Sequence, residues 1–242
     1  MSLAVIDPTQ FSWTPAALGA EGWYDAADKT TIAESGGAVS QWDDKSGNDR
    51  HLAQSVAAAK PTTGSRLLGG LNVLDGDGSE FMFYAGFPVR ADGDISIFAV
   101  CVIDSVANFS DGIYAMDGAG ADFKFSAGPP GDVSGDFNGF VQGGFGTNLI
   151  LTGGPFPGPS IYNAEFDKTG SGLVTARIDG TSHKTETYAT NLSSPMRLAV
   201  LADKGELFPI DGAVAEVIIV RDMSLATRQK IEGYLAWKWG GA

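Results

Sequence analysis

Only one stretch of this chain carries a convincing helical period, and it lies directly behind the most apolar strand pattern. Residues 211–222 read D-G-A-V-A-E-V-I-I-V-R-D, and residues 223–241 read M-S-L-A-T-R-Q-K-I-E-G-Y-L-A-W-K-W-G-G. Val214, Ala215, Val217, Ile218, Ile219 and Val220 form a β-branched run interrupted by Glu216, too short and too rich in Val and Ile for a helix. The pattern predicts a central strand. Ser224 then offers a side-chain oxygen to the free N–H groups that open a helix, and Gly240 and Gly241 supply the backbone that ends one. Between them Ile231, Tyr234, Leu235 and Lys238 fall at i, i+3, i+4 and i+7 with Trp239 beside them, while Arg228, Gln229, Lys230 and Glu232 stay on the wet side. At 1.5 Å per residue such a helix is roughly 22 Å long, enough to latch one end or edge of a sheet.

The rest of the chain is punctuated in the manner of short strands. Trp23–Asp28 and Val39–Trp42 alternate apolar and polar residues around a Gly-Gly pair, which predicts two joined strands with Trp23 and Trp42 in the core. The polar knot D-D-K-S-G-N-D-R that follows is dense in the turn formers Ser46, Gly47 and Asn48, and Asp43, Asp44 and Asp49 within it read either as turn residues or as ligands of a cation. Residues 61–77 read as a loop feeding a strand. Residues 95–103 are apolar but for Ser96 and predict a fully buried strand. Cys101, the one cysteine, sits inside it as a small core residue. Residues 160–166, 173–178, 182–188 and 196–201 are further short strands, and Asp179-Gly180 signals a hairpin because both residues tolerate positive φ. Short strands with turns between them and a single helix predict an all-β sandwich of two antiparallel sheets. We expect one domain over 21–242, preceded by an extended, proline-bearing arm over 1–20.

Charge narrows the partners. Sixteen basic residues against 29 acidic ones give a net charge of −13, which opposes nucleic acid and anionic membranes. No apolar run reaches the length of a membrane span. The first twenty residues lack the basic start and apolar centre of a secretion signal, so synthesis in a cytoplasm with release by another route is the expectation.

Catalytic patterns are sparse. His51 and His183 come without a G-x-S-x-G turn, an H-E-x-x-H pair or a C-x-x-C, and read as surface or capping residues. Glu216 is followed by V-I-I-V and Glu80 by F-M-F-Y, so neither begins an E-x-D-x-x-E strand of paired carboxylates. Asp75, Asp77 and Ser79 have the first three spacings of a calcium loop, but Gly86 stands where its bidentate glutamate belongs, so calcium is a weak candidate cofactor. What remains is binding. Between Gly118 and Gly158 twelve glycines alternate with aromatic and amide residues. Asp132, Asp136, Phe137, Asn138, Phe140, Gln142 and Phe145 are the candidate carbohydrate-binding set, because sugars stack on aromatic faces and hydrogen-bond to amides and carboxylates. The competing reading puts these phenylalanines in the core and the polar residues in turns.

Two segments also carry a resemblance. The closing A-E-V-I-I-V and R-Q-K-I-E-G-Y-L-A-W-K-W-G, with W-Y-D-A-A-D-K-T-T-I and V-S-Q-W-D-D-K-S-G-N-D-R-H-L-A-Q near the start, resemble the concanavalin A-like (laminin-G-like) jelly-roll domains of phage virion and bacterial surface proteins. The resemblance implies a jelly roll with a C-terminal helix and supplies no catalytic or binding residue. It departs from the family at Thr227, where glutamate usually completes the helix cap, implying a start weaker by up to about 1 kcal/mol. With it, the leading expectation is a non-enzymatic virion or surface-appendage protein of a phage or prophage, on a tail fibre, spike or capsid, that contacts host-surface glycans. Its expected protein partners are other virion or appendage proteins or further copies of itself. A purely structural decoration protein is the first rival, and a glycan-cleaving enzyme the second.

Overall fold

Among the described residues, every pairing between two strands of the computed structural model is antiparallel. The structure describes residues 13–88, 94–106, 111–118, 121–128, 138–143, 148–152, 158–167, 173–187, 195–203, 208–222 and 224–240. In chain order the first strands are β1 (Gly22–Asp25), β2 (Ile32–Ser35), β3 (Ala38–Trp42), β4 (Leu52–Ala53), β5 (Thr62–Leu68), β6 (Leu71–Asp77), β7 (Met82–Phe87) and β8 (Ile95–Ser105). There follow β9 (Asp111–Gly118), β10 (Ala121–Gly128), β11 (Asn138–Gly143), β12 (Asn148–Thr152), β13 (Ser160–Phe166), β14 (Leu173–Ile178), β15 (Thr181–Thr187), β16 (Met196–Val200), β17 (Asp211–Val220) and the helix α1 (Leu225–Lys238).

Pairing sorts these strands into two layers of a jelly-roll-like β-sandwich. One runs β15-β14-β13-β8-β17, with β1 and β6 sharing the far edge of β17. The other runs β3-β4-β7-β16-β9-β10-β11-β12. A single bridge between Ala38 and Thr62 stitches the two through β5. Between the layers lies an aromatic-rich core in which Tyr24 packs on Trp42 at 5.7 Å and Phe125 on Tyr162 at 5.3 Å.

The predicted central strand is β17, buried from Gly212 to Val220. Both of its faces are covered, because a second apolar cluster lies on the outside of its layer. There Phe98, Val100, Ile161, Ile218 and Val220 meet Ile231, Leu235 and Trp239 of the helix segment. The helix therefore lies on the outer face of the sheet, not at an end or edge as the sequence suggested. An exposed apolar strip on β8, β13 and β17 requires that cover, since burying it is the main favourable term.

Local chemistry explains the boundaries. Ser224 Oγ accepts from the Thr227 amide at 3.2 Å, as the cap pattern predicted. The expected weakness at Thr227 is met by Asp222, whose carboxylate accepts from the Ser224 amide at 2.8 Å and from the Thr227 hydroxyl. Asp179 and Gly180 both take positive φ in the β14–β15 turn. Residues 62–77 differ from expectation: they form the β5–β6 hairpin about Gly69-Gly70, again with two positive φ values. Of the arm, residues 13–20 are described; Pro15–Leu18 makes a short 3-10 turn capped by Thr14, while residues 1–12 lie outside the described residues.

Candidate functional site

One residue of β17 breaks its apolar pattern, and a bulge decides where it points. Val214 pairs with Cys101 and Glu216 with Val100, so Ala215 is the extra residue. Such a bulge re-aims the side chain that follows it. The Glu216 carboxylate is fully buried and faces α1. Its Oε1 accepts from Trp23 Nε1 at 2.7 Å and from the Tyr234 hydroxyl at 3.0 Å. Its Oε2 accepts from Lys238 Nζ at 2.7 Å and from Trp239 Nε1 at 2.8 Å.

Lys238 continues the network. Its ammonium also donates to Asp25 Oδ1 at 2.6 Å and to the Tyr234 oxygen at 3.1 Å. Asp25 Oδ2 in turn accepts from Lys45, 2.9 Å away, which lies 2.8 Å from Asp28 and 4.5 Å above the Trp23 ring. Burial pushes the Glu216 carboxyl above its ordinary range against the opposing pull of Lys238. Burial likewise raises the Tyr234 phenol, assisted by Glu216 and Asp25. Lys45 is raised too, because Asp28 and Asp25 outweigh the burial that by itself would lower it.

Asp25 and Glu216 thus share one ammonium, an arrangement with the outline of a carboxylate pair. Glu216 has no exposed surface and both its oxygens are doubly engaged, so no substrate reaches it. Its role is to tie β1, β17 and α1 together.

Above this network lies an open groove of about 640 Å³. The helix contributes Tyr234, Trp237 and Lys238; the segment before β1 contributes Trp13; the β5–β6 hairpin tip contributes Gly69 and Leu71. Trp23, Asp25 and Lys45 complete the lining. Trp13 packs against Tyr234 with ring centroids 5.7 Å apart. Aromatic walls with a few polar groups among them are what a sugar-sized ligand requires.

The described part of the candidate set read from composition lies elsewhere. Asn138, Phe140 and Gln142 occupy alternate positions of β11, paired with Gly128, Ser126 and Lys124 of β10. Asp132, Asp136, Phe137 and Phe145 lie outside the described residues. Of the calcium candidates, Asp75 is paired with Arg66 at 2.9 Å, while Glu80 accepts from the amides of Asp77 and Ser79. Among the described residues no group of three His, Cys, Asp or Glu side chains is placed to hold a metal ion. The polar knot is a turn organised by Asp44, whose carboxylate accepts from the amides of Trp23, Ser46 and Arg50, and His51 Nδ1 accepts from the Asp44 amide. The side chain of His183 lies outside what the structure describes.

No family model matches the chain, and no curated protein matches it either. Solved structures do. Domain 4 of AbnA, a GH43 extracellular arabinanase from Geobacillus stearothermophilus solved with arabinotriose, superimposes with a TM-score of 0.63 at 10% identity, over 88% of this chain and 97% of that one. A GH54 α-L-arabinofuranosidase gives 0.62 at 11% identity, over 93% and 60%. Trypanosoma rangeli sialidase in complex with sialic acid gives 0.54 at 11%, over 89% and 32%. The chain spans about 60% of the arabinofuranosidase chain and about a third of the sialidase chain. At such identities the likeness is one of fold. It corrects one expectation: the matching structures are mainly glycosidases and sialidases, so the fold gives no ground for reading the chain as a non-enzyme.

Proposed function

We propose that this chain is a carbohydrate-recognition β-sandwich whose ligand seats in the groove between α1, the β5–β6 hairpin tip and Trp13. The observation that carries the reading is that lining: four aromatic side chains, Trp13, Trp23, Tyr234 and Trp237, beside an ordered set of charges. Rings held by a rigid scaffold offer stacking area at little entropic cost. Similar sandwiches include an arabinanase domain solved with arabinotriose and an arabinofuranosidase solved with a disaccharide-linked arabinofuranose, which makes arabinose-containing oligosaccharides the first ligands to try. Display on a phage virion or surface appendage is the finer part of the proposal, supported by the resemblance of the two terminal segments.

The test is calorimetric titration of the purified protein with arabino-oligosaccharides and a panel of plant and bacterial glycans, with reducing-end release followed on the same samples. Binding that Trp237→Ala weakens by tenfold or more, with the thermal midpoint preserved, supports the groove. Binding indifferent to Trp237→Ala but lost in Phe140→Ala moves the site to β11. A rise in reducing ends with time assigns cleavage as well as recognition.

A further inference from the structure

The charges around the groove say what kind of saccharide it accepts. Among the described residues two ammonium groups border it, Lys45 and Lys238, and three carboxylates already hold them. Lys238 donates to Asp25, Glu216 and the Tyr234 hydroxyl, which engages all three of its N–H groups. Lys45 lies 2.9 Å from Asp25 and 2.8 Å from Asp28. Neither cation is held in reserve for a ligand carboxylate, and the chain as a whole carries −13. An anionic sugar entering here meets a field that is not positive, and pairing with a lysine requires displacing a carboxylate that is already in contact.

We infer that the groove selects neutral saccharides and discriminates against uronic, sialic and sulfated ones. This rests on the groove reading above and refines it. A neutral ring needs only an aromatic face and hydroxyl partners, and Trp13 and Trp237 border the groove beside polar atoms that are fixed by their own ion pairs. The sialic acid bound by the sialidase, of whose chain this one matches about a third, is therefore not expected as a ligand here.

The experiment uses matched pairs that differ at the carboxylate alone: sialyllactose methyl ester against sialyllactose, and methyl-esterified against de-esterified oligogalacturonide, titrated at low and at physiological salt. The neutral member should bind at least about fivefold more tightly, the factor that one unit-charge interaction at about 4 Å in water supplies. Salt should narrow the gap, because it screens the repulsion. Asp28→Asn removes one of the carboxylates on Lys45 without touching the lining, and should narrow the gap by strengthening the acidic member. Equal or tighter binding of the acidic members in the wild-type protein overturns the inference while leaving a carbohydrate module standing. Silence toward every neutral and acidic glycan overturns the groove reading, and this inference with it.

Discussion

Replacing Glu216 by glutamine tests whether the carboxylate in the middle of an apolar strand is held there as one partner of an ion pair. Glutamine keeps the shape but removes the charge opposite Lys238 and turns one acceptor oxygen into a donor, facing the N–H of Trp239 or Trp23 or the Lys238 ammonium. Removing one partner of a buried ion pair costs about 3–5 kcal/mol, because the other charge is left without compensation. Set against a total stability on the order of 5–15 kcal/mol, that is a large fraction. For a chain of this length it lowers the thermal midpoint by roughly 6–20 °C. The assay is urea unfolding at pH 7 followed by tryptophan fluorescence, with the denaturant slope expected to stay unchanged. Lys238→Met should cost a comparable amount, since Asp25 and Glu216 then face one another with no ammonium between them. The double variant should cost less than the two single losses added, by at least about 0.5 kcal/mol. A loss below about 1 kcal/mol for Glu216→Gln would mean that the carboxyl is uncharged in the fold, and would refute the ion-pair reasoning.

Three further outcomes follow from the geometry. Deleting residues 231–242 removes Ile231, Leu235 and Trp239 from the outer face of β8 and β17, and should give an aggregating protein; a soluble product with a cooperative melt would show that the helix is no cover. Gly112→Ala would drive a Cβ into the backbone of Ala202 and Asp203, so it should lower stability by about 1–3 kcal/mol or more in urea melts, and a neutral result would contradict the close passage of β9 against that turn. Lys45 lowers the Asp28 carboxyl from its ordinary 3.8 to about 2, so its contribution is present above about pH 4 and is lost as pH falls through about 2; Asp28→Asn should therefore destabilise the protein at pH 6 and much less at pH 2, whereas a constant deficit would rule out this linkage.

How much of this was legible depended on how local the signal was. The strand β17, the cap at Ser224 and the apolar stripe through Ile231 and Leu235 each declare themselves within a few residues, and the structure has them where the pattern puts them. The β5–β6 hairpin was hidden because β5 is an exposed, irregular edge strand whose register shifts between Thr63 and Leu67, so T-T-G-S-R-L-L shows no alternation; the Gly69-Gly70 pair was the available sign. Glu216 looked like an interruption because its meaning lies in partners far along the chain, Trp23 being 193 positions away. The groove was invisible for the same reason: its aromatic walls come from positions 13, 23, 234 and 237, and no window of sequence contains them together. Composition instead drew attention to the glycine-rich middle, where aromatic and amide residues are neighbours in sequence.

The distance between Trp23 and Glu216 also sets an order of events during protein synthesis. A ribosome delivers β1 early, yet the strand it pairs with is almost two hundred residues behind it, and the lysine that links their carboxylates comes later still. Until residue 239 has emerged, the outer apolar face of β8 and β13 has nothing over it and the charges of Asp25 are without the Lys238 ammonium. A nascent chain in that condition is the kind that chaperones retain, since long-range pairing is slow and open strand faces associate. Translation that stalls or terminates inside α1 is thus expected to yield a trapped, adhesive intermediate, and quality control of this fold turns on the codons of α1.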